Sequence, residues 1–446
     1  MQRFRATPRV GRGRSIVIGP SSSESYVLLG RLSEVGPERE VRLDVEREHV
    51  VAVLGKRGSG KTHTLGVLLE GLGIADRTHT IGRVASDRAV LLFDTMNLFQ
   101  WIGIPLATAG GPISQVQFEK ARAWNLPEGT LSPSFWHLAG SRVANHESKP
   151  LKVAVADIAP QDWGLLMDVD VVAEPMGQLM AAAHDKVTRT GWRKKGKRIG
   201  ARSVHSIADL VECIGDDVDL ASDFATETRR AVRQRLNSYD RTGLFSTEGT
   251  HLEEILQPGR VAVISLGNVG EDLRTMVAFL LVRKVLEQRA LASEATKNAL
   301  ITGLSTDGPS IPRTWIIVDE AQNIIPDRTA SLANKELTRF VREGRNFGLS
   351  IAISTQQPTA IDNKVMAQVD VLVAHTLTVQ NDTNYVHANL KCSLPRSLQL
   401  GRRDVSLPEA LRDLEVGQCL VSAVDVSRAI FVEMRPRVTA HGGFEA

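Results

Sequence analysis

Apolar residues fall along this chain in short, nearly unbroken runs that end at polar or turn-forming residues. The runs are Val50–Leu54, Ala89–Phe93, Arg260–Leu266, Trp315–Val318, Leu349–Ser354 and Val369–His375. Runs of this length without polar alternation suit strands buried on both faces. Between them the spacing turns helical, over 63–72, 165–183, 207–214, 219–239, 272–292 and 321–345. Within 272–292, Leu273, Met276, Val277, Leu280 and Leu281 share one side of a helix. Buried strands alternating with helices predict an α/β fold. Shorter β-like pieces, Ser15–Ile18, Tyr26–Leu29 and Val41–Leu43, separated by Gly, Pro and Ser, predict a small β-rich module. Residues 111–150, rich in Pro, Gly and Ser, read as loop, and Lys152–Ala156 as a further strand.

This patterning divides the chain into 1–48, an N-terminal β-rich module; 49–159, the first part of the α/β core; 160–250, a helical insertion; and 251–394, the second part of the core. A final segment, 395–446, holds a helix (Leu407–Leu414) and two strands (Gln418–Ala423 and Ala429–Met434).

Composition changes the picture little. With 42% hydrophobic residues the chain is long enough for a sizeable globular core. The net charge is only +3, so nucleic-acid contact must come from local clusters. Cys213, Cys392 and Cys419 show neither disulfide nor metal spacing, which fits a reducing, cytoplasmic setting. No apolar run approaches the roughly 20 residues that span a bilayer, and the expectation is no membrane partner.

The strand 50–54 runs into Gly55, Lys56, Arg57, Gly58, Ser59, Gly60, Lys61, Thr62 and His63. Strand, G-x-x-x-x-G-K-[ST], then helix is the arrangement that cradles polyphosphate. The glycines let backbone N–H groups converge on one anion. Lys61 supplies a mobile cation for the β- and γ-phosphates, Thr62 an oxygen for Mg²⁺, and the helix a positive end. ATP and Mg²⁺ are the expected cofactors.

Trp315-Ile316-Ile317-Val318 ends in Asp319 and Glu320. An acid here can hold Mg²⁺ beside Thr62, and a second can act as general base toward water. Gln356, after the strand 349–354, can sense the γ-phosphate or orient water, or simply satisfy backbone groups. Arg345 reads either as a transition-state cation, in its own subunit or across an interface, or as a helix C-cap. Asp94, ending the run 89–93, is either an acid near Mg²⁺ or a turn residue. In the tail, Arg435 and Arg437 either reach a neighbouring subunit's nucleotide or are exposed.

Two other features are cationic. Arg3, Arg5, Arg9, Arg12 and Arg14 form a basic arm, read either as touching phosphates or as a disordered terminus. Lys186, Arg189, Arg193, Lys194, Lys195, Lys197, Arg198 and Arg202, interleaved with Trp192 and glycines, predict a flexible basic loop suited to a nucleic-acid backbone, or else a solvated surface loop.

In their order and spacing, Gly-Lys-Arg-Gly-Ser-Gly-Lys-Thr at 55–62, Leu-Leu-Phe-Asp at 91–94, Ile-Ile-Val-Asp-Glu-Ala at 316–321, Arg-Glu-Gly-Arg-Asn-Phe-Gly at 342–348, Thr-Gln-Gln-Pro-Thr at 355–359 and the terminal His-Gly-Gly resemble the HerA family of hexameric DNA-translocating ATPases, relatives of FtsK. The resemblance covers about residues 40 to 443. It implies a RecA-like core, a small N-terminal barrel, a helical insertion and a C-terminal extension bracing the next subunit. It also implies a homo-hexamer with ATP at the interfaces and duplex DNA in the pore. On it, Lys61 and Thr62 bind nucleotide and Mg²⁺, Asp319 and Glu320 drive hydrolysis, Gln356 senses phosphate, Asp94 lies near the site and Arg345 is a sensor or finger. Arg47 is nearest to the family's interface-crossing arginine, and the N-terminal segment is short for the family barrel. Two functions follow as expectations: a translocase or helicase-type ATPase working with a separate nuclease or NADase effector in DNA end processing or antiviral defence, or a ring-shaped platform whose ATP hydrolysis regulates that effector.

Overall fold

The unbroken apolar runs form the middle of one sheet. The computed structural model describes residues 4–6, 15–19, 24–34, 38–74, 78–85, 87–141, 147–194, 196–304, 311–324, 332–361, 363–394, 398–400, 403–426 and 428–443. Across the 14-stranded sheet the order is Ser15–Ile18, Glu40–Asp44, Tyr26–Leu32, Ile430–Met434, Gln418–Ala423, Val371–Ala374, Val50–Leu54, Leu349–Thr355, Arg313–Val318, Arg88–Asp94, Val261–Ser265, Ser134–Leu138 and Lys149–Leu151, with Gly82–Arg83 paired to Tyr26–Leu32. From Val371–Ala374 to Lys149–Leu151 every neighbouring pair is parallel. Residues of the central strands are buried on both faces, which is why their sequence does not alternate. One face is covered mainly by the helix Lys61–Gly73, the other by Glu271–Thr302 and the helices of the insertion.

Phe4–Ala6 pairs with Leu398–Leu400 in a separate three-stranded sheet, but the strands Ser15–Ile18, Tyr26–Leu32 and Glu40–Asp44 do not stand apart from the large one. They join it through Ile430–Met434, which pairs antiparallel with Tyr26–Leu32 on one side and Gln418–Ala423 on the other.

Several sequence readings need correction. Residues 111–150 are not all loop: Pro112–Ala123 is a helix, and Ser134–Leu138 a core strand parallel to Val261–Ser265. The helix lacks an apolar stripe, burying only Ala121, and its Gly111-Pro112 start resembles a turn although Pro suits a first helical position. Lys152–Ala156 shrinks to Val153–Ala154 followed by a 3₁₀ turn. The stretch 165–183 breaks into Pro160–Met167 and Pro175–Asp185. Asp168 turns left-handed at φ 51°, and the Asp170 carboxylate accepts from the backbone N–H groups of Val172 and Ala173. The stretch 219–239 breaks at Phe224 into Val218–Asp223 and Thr226–Asp240.

The tail is corrected most. Arg435 and Arg437 are 0% and 2% exposed, so the tail is neither free nor presenting them to another subunit. Both close on Glu70 of the helix Lys61–Gly73: Arg435 Nη1 lies 2.7 Å and Arg437 Nε 3.2 Å from its carboxylate. The backbone N–H groups of Val438 and Thr439, each at 3.0 Å, and the Thr439 hydroxyl at 2.7 Å donate to the same carboxylate. Arg435 spends its other N–H groups on the carbonyls of Leu28, Val67 and Pro436. Burial pushes the Glu70 carboxyl up, but the two guanidiniums outweigh it and hold the group below its ordinary range.

Candidate functional site

The carboxyl ends of four adjacent parallel strands deliver the predicted chemistry to one place. Leu54 lies opposite Thr355, while Val318 lies opposite both Ile353 and Phe93, so the residues that follow each strand converge. The phosphate loop leaves Leu54 and re-enters helix at Lys61. Gly58 and Gly60 hold φ of 72° and 111°, which side chains resist. The Ser59 hydroxyl donates to the Lys56 carbonyl at 2.8 Å and closes the turn. Lys56, Arg57 and Gly58 form an exposed crest, whereas Ser59 and Lys61 are buried.

Lys61 Nζ sits inside the loop, 3.2 Å from the Lys56 carbonyl and 3.3 Å from the Glu320 carboxylate. Both Glu320 oxygens are engaged. Oε1 accepts from the Gln356 amide at 2.8 Å, and Oε2 from the Gln322 amide at 2.7 Å. The carbonyl oxygen of the Gln322 amide accepts from the Thr355 hydroxyl at 2.8 Å, which fixes the amide's orientation. Glu320 itself holds a left-handed φ of 51°, a backbone cost that the surrounding bonds support.

Asp319 is fully buried beside it. Its Oδ1 accepts from the Ser354 hydroxyl at 2.8 Å and lies 3.5 Å from Thr62 Oγ1; its Oδ2 has no hydrogen-bond partner among the described residues. A buried carboxylate with one oxygen near the Thr62 hydroxyl and the other without a partner fits a divalent cation that takes its remaining ligands from phosphates and water. No group of three or more His, Cys, Asp or Glu able to hold a metal occurs among the described residues.

Burial pushes the Asp319 carboxyl up to about 7; the Ser354 hydroxyl opposes the rise, and the charges of Asp94 and Glu320 add to it. A cation needs the ionised form. Mg²⁺ binding together with ADP is therefore expected to release up to one proton near pH 7, and its affinity to fall as pH drops below that. Titration calorimetry in two buffers of different ionisation enthalpy reads the released proton directly.

Asp94, also fully buried, accepts from the N–H groups of Phe99, Leu98 and Met96 at 2.9, 3.0 and 3.3 Å. It organises the loop after its strand and faces Asp319 only through space, with burial raising its own carboxyl to about 6. His63 turns away from the loop: its Nε2–H donates to the Arg435 carbonyl at 2.9 Å, and its ring meets His441 edge-on at 5.7 Å.

Arg345 is not brought to the site. Its guanidinium donates to the Gln368 carbonyl at 2.8 Å and pairs with Asp370 at 3.3 Å. Asp370 also accepts from the N–H of Val50, so Arg345 lies at the start of the strand whose far end carries the phosphate loop. Five residues at about 3.3 Å each separate the two ends. Arg47 is exposed at that same start.

The basic segment is not a flexible loop. Trp192–Lys194 and Lys197–Ile199 pair as a hairpin, and Trp192 is 4% exposed in the core, so its ring cannot stack on a base. Lys186 binds Asp217 and Asp219, Lys194 binds Glu212 and Asp216, Arg202 binds Asp209, and Arg189 lies 3.9 Å from Asp185. Apart from Asp185, the acids come from the later helices Ile207–Asp216 and Val218–Asp223 and the residue between them, invisible in a count along the chain. Arg193, Lys197 and Arg198 stay exposed with no ion pair among the described residues. Lys195 and the arginine side chains of the N-terminal arm lie outside the described residues.

Sequence reasoning missed Ser354, Gln322 and Glu70. Ser354 precedes Thr355 at a strand end, and Gln322 follows the Asp-Glu pair, so the rule that found Gln356 extends to both. Glu70 carried a different signal, an acid set inside the apolar run 65–72.

Residues 27–285 match the family described as "Helicase HerA, central domain". The DNA double-strand break repair helicase HerA of Saccharolobus solfataricus is 22% identical over 90% of this chain and 66% of its own length. That of Pyrococcus furiosus is 21% identical over 53% of this chain and 47% of its own. The chain thus spans about half to two thirds of the length of these relatives. Among solved structures, VirB4 of Thermoanaerobacter pseudethanolicus superposes with a TM-score of 0.53 at 14% identity, covering 94% of this chain and 98% of that one. The plasmid coupling protein TrwB in complex with ADP and Mg²⁺ gives 0.52 at 12%, covering 96% and 99%. These likenesses support the α/β fold. With the profile spanning more than half its length, the chain belongs to the HerA helicase central-domain family.

Proposed function

We propose that the chain is an ATP-hydrolysing motor subunit that assembles into a hexamer, moves duplex DNA, and works in the cytoplasm with a separate nuclease or NADase effector. The observation that carries the ATPase reading is the convergence of Lys61, Thr62, Asp319, Glu320 and Gln356 at adjacent strand ends. Lys61 neutralises phosphate charge once it exchanges its Glu320 partner for the nucleotide. Thr62 and Asp319 would hold Mg²⁺, which screens the phosphates and orients the γ-phosphoryl group. Glu320, freed of Lys61, takes the proton of the attacking water, while Gln356 and Gln322 hold its carboxylate in place. Arg345, held by Asp370 and Gln368, enters no step within the chain, and the relatives, DNA double-strand break repair helicases, supply the DNA expectation.

The paired state of Lys186, Lys194 and Arg202 and the burial of Trp192 favour a second reading, the effector platform, because they leave fewer cations for DNA. ATPase rates with and without linear duplex DNA, between 50 and 200 mM salt, separate the two, with mass photometry for subunit number. The motor predicts a hexamer stimulated by DNA, with stimulation falling steeply as salt displaces phosphate contacts. Reversing Arg193, Lys197 and Arg198 to Glu is expected to abolish the stimulation and spare the basal rate. A hexamer indifferent to DNA at every salt would leave the platform.

A further inference from the structure

Beneath the phosphate loop lies a histidine that the sequence places merely at a strand end. His375 follows Val371–Ala374 and is fully buried. Its N–H donates to the Leu54 carbonyl at 2.8 Å, and the next carbonyl, Thr376, accepts from Lys56 N–H at 2.9 Å. Backbone pairing therefore continues past the strand ends into the loop itself.

The ring makes two further contacts, and together they fix its protons. Nδ1 lies 3.0 Å from the Gln418 carbonyl, which can only accept, so Nδ1 carries the hydrogen. Nε2 is then an acceptor, and the Thr64 hydroxyl donates to it at 2.8 Å. Thr64 lies in the first turn of the helix, three residues after Lys61. Added Cβ atoms at Gly55 and Gly60 would come within 2.8 Å of His375 Cβ and 3.4 Å of its Cε1, so both ends of the loop rest on this side chain. Burial pushes its pKa down to about 3, which keeps the neutral tautomer in place at ordinary pH.

We infer that His375 is a positioning residue for the phosphate loop, tying the strand beside it and the Thr64 turn together so that Lys61 and Thr62 are preset for a nucleoside polyphosphate. The inference rests on the nucleotide-binding reading above. The Thr64 hydroxyl and the His375 ring are spent on each other and on the Gln418 carbonyl, so they act through loop shape, and their loss should appear in nucleotide affinity and in KM rather than in kcat.

Thr64→Val removes the hydroxyl at nearly constant volume, Thr64→Ala removes it with less bulk, and Thr64→Ser keeps it. Binding of a fluorescent ADP analogue with Mg²⁺ is expected to weaken about tenfold in the first two, with KM for ATP raised alike, kcat within about twofold, and Thr64→Ser close to wild type. Melting temperatures of the unliganded proteins are read alongside. If Thr64→Val and Thr64→Ala bind nucleotide like the wild type, whatever their melting temperatures, the histidine only fills the core and the inference fails while nucleotide binding stands. If the wild type binds no nucleotide, both fall.

Discussion

Glu320→Gln is expected to lower the ATP turnover number by about 10²–10⁴-fold, the range for loss of a general base, while ATP still binds. The geometry argues for both halves of that result. The replacement keeps the shape of the side chain, and its carbonyl oxygen still accepts from Gln356, now 2.8 Å away. The amide nitrogen would face the Gln322 N–H₂ at the second position, donor against donor, so Gln322 is expected to turn. The ion pair that occupies Lys61 in the free chain is lost. Lys61 is then released toward phosphate, so affinity for ATP should hold or tighten as hydrolysis stops. Single-turnover hydrolysis and a nucleotide titration on the same preparation read the two quantities separately. A variant that hydrolyses ATP within about tenfold of wild type would remove Glu320 as the base and leave Asp319 as the remaining acid in reach. Lys61→Ala serves as the contrast, losing binding as well as turnover.

Glu70→Ala is expected to cost about 3–5 kcal/mol of folding stability, because it strands two buried guanidiniums without a counter-charge. Against a total of about 5–15 kcal/mol for an ordinary domain, that removes between roughly a fifth and all of the stability. The same carboxylate also receives two backbone N–H groups and the Thr439 hydroxyl, so its removal unfastens the stretch 435–439 from the helix. Urea unfolding of Glu70→Ala and Glu70→Gln gives the size of the effect. A loss below about 1 kcal/mol in Glu70→Ala would mean that the arginines find other partners. The pH dependence has a defined sign. The folded carboxyl lies below its ordinary value, so its contribution is fully present above that value and is lost as pH falls through the folded one.

The phosphate loop and the Asp-Glu strand end were legible because their chemistry is local: a few adjacent residues dictate both backbone and ligand. The central strands were legible because burial on both faces leaves an unbroken apolar run. What the sequence hid were partnerships across the fold. Lys186 and Lys194 look free until Glu212, Asp216, Asp217 and Asp219 arrive from the next helices. Arg345 has the spacing of a catalytic arginine, yet Asp370 and Gln368 hold it at the opposite end of the sheet. Trp192 sits among cations in sequence and among apolar side chains in space. Helix ends failed for another reason: Asp168 and Phe224 interrupt continuous spacing through backbone turns that periodicity does not register.

The strand Val50–Leu54 lies between Leu349–Thr355 and Val371–Ala374, both made far later in the chain. During synthesis the phosphate loop therefore leaves the ribosome without either neighbour. At about 5–20 residues per second, the 295 residues from Leu54 to Leu349 take roughly 15–60 s. Through that interval an apolar strand and a polyphosphate-binding loop stand unpaired. A nascent chain halted before residue 349 should expose Val50–Leu54 to chaperones and show no nucleotide protection. One released after residue 376 should gain both protections together.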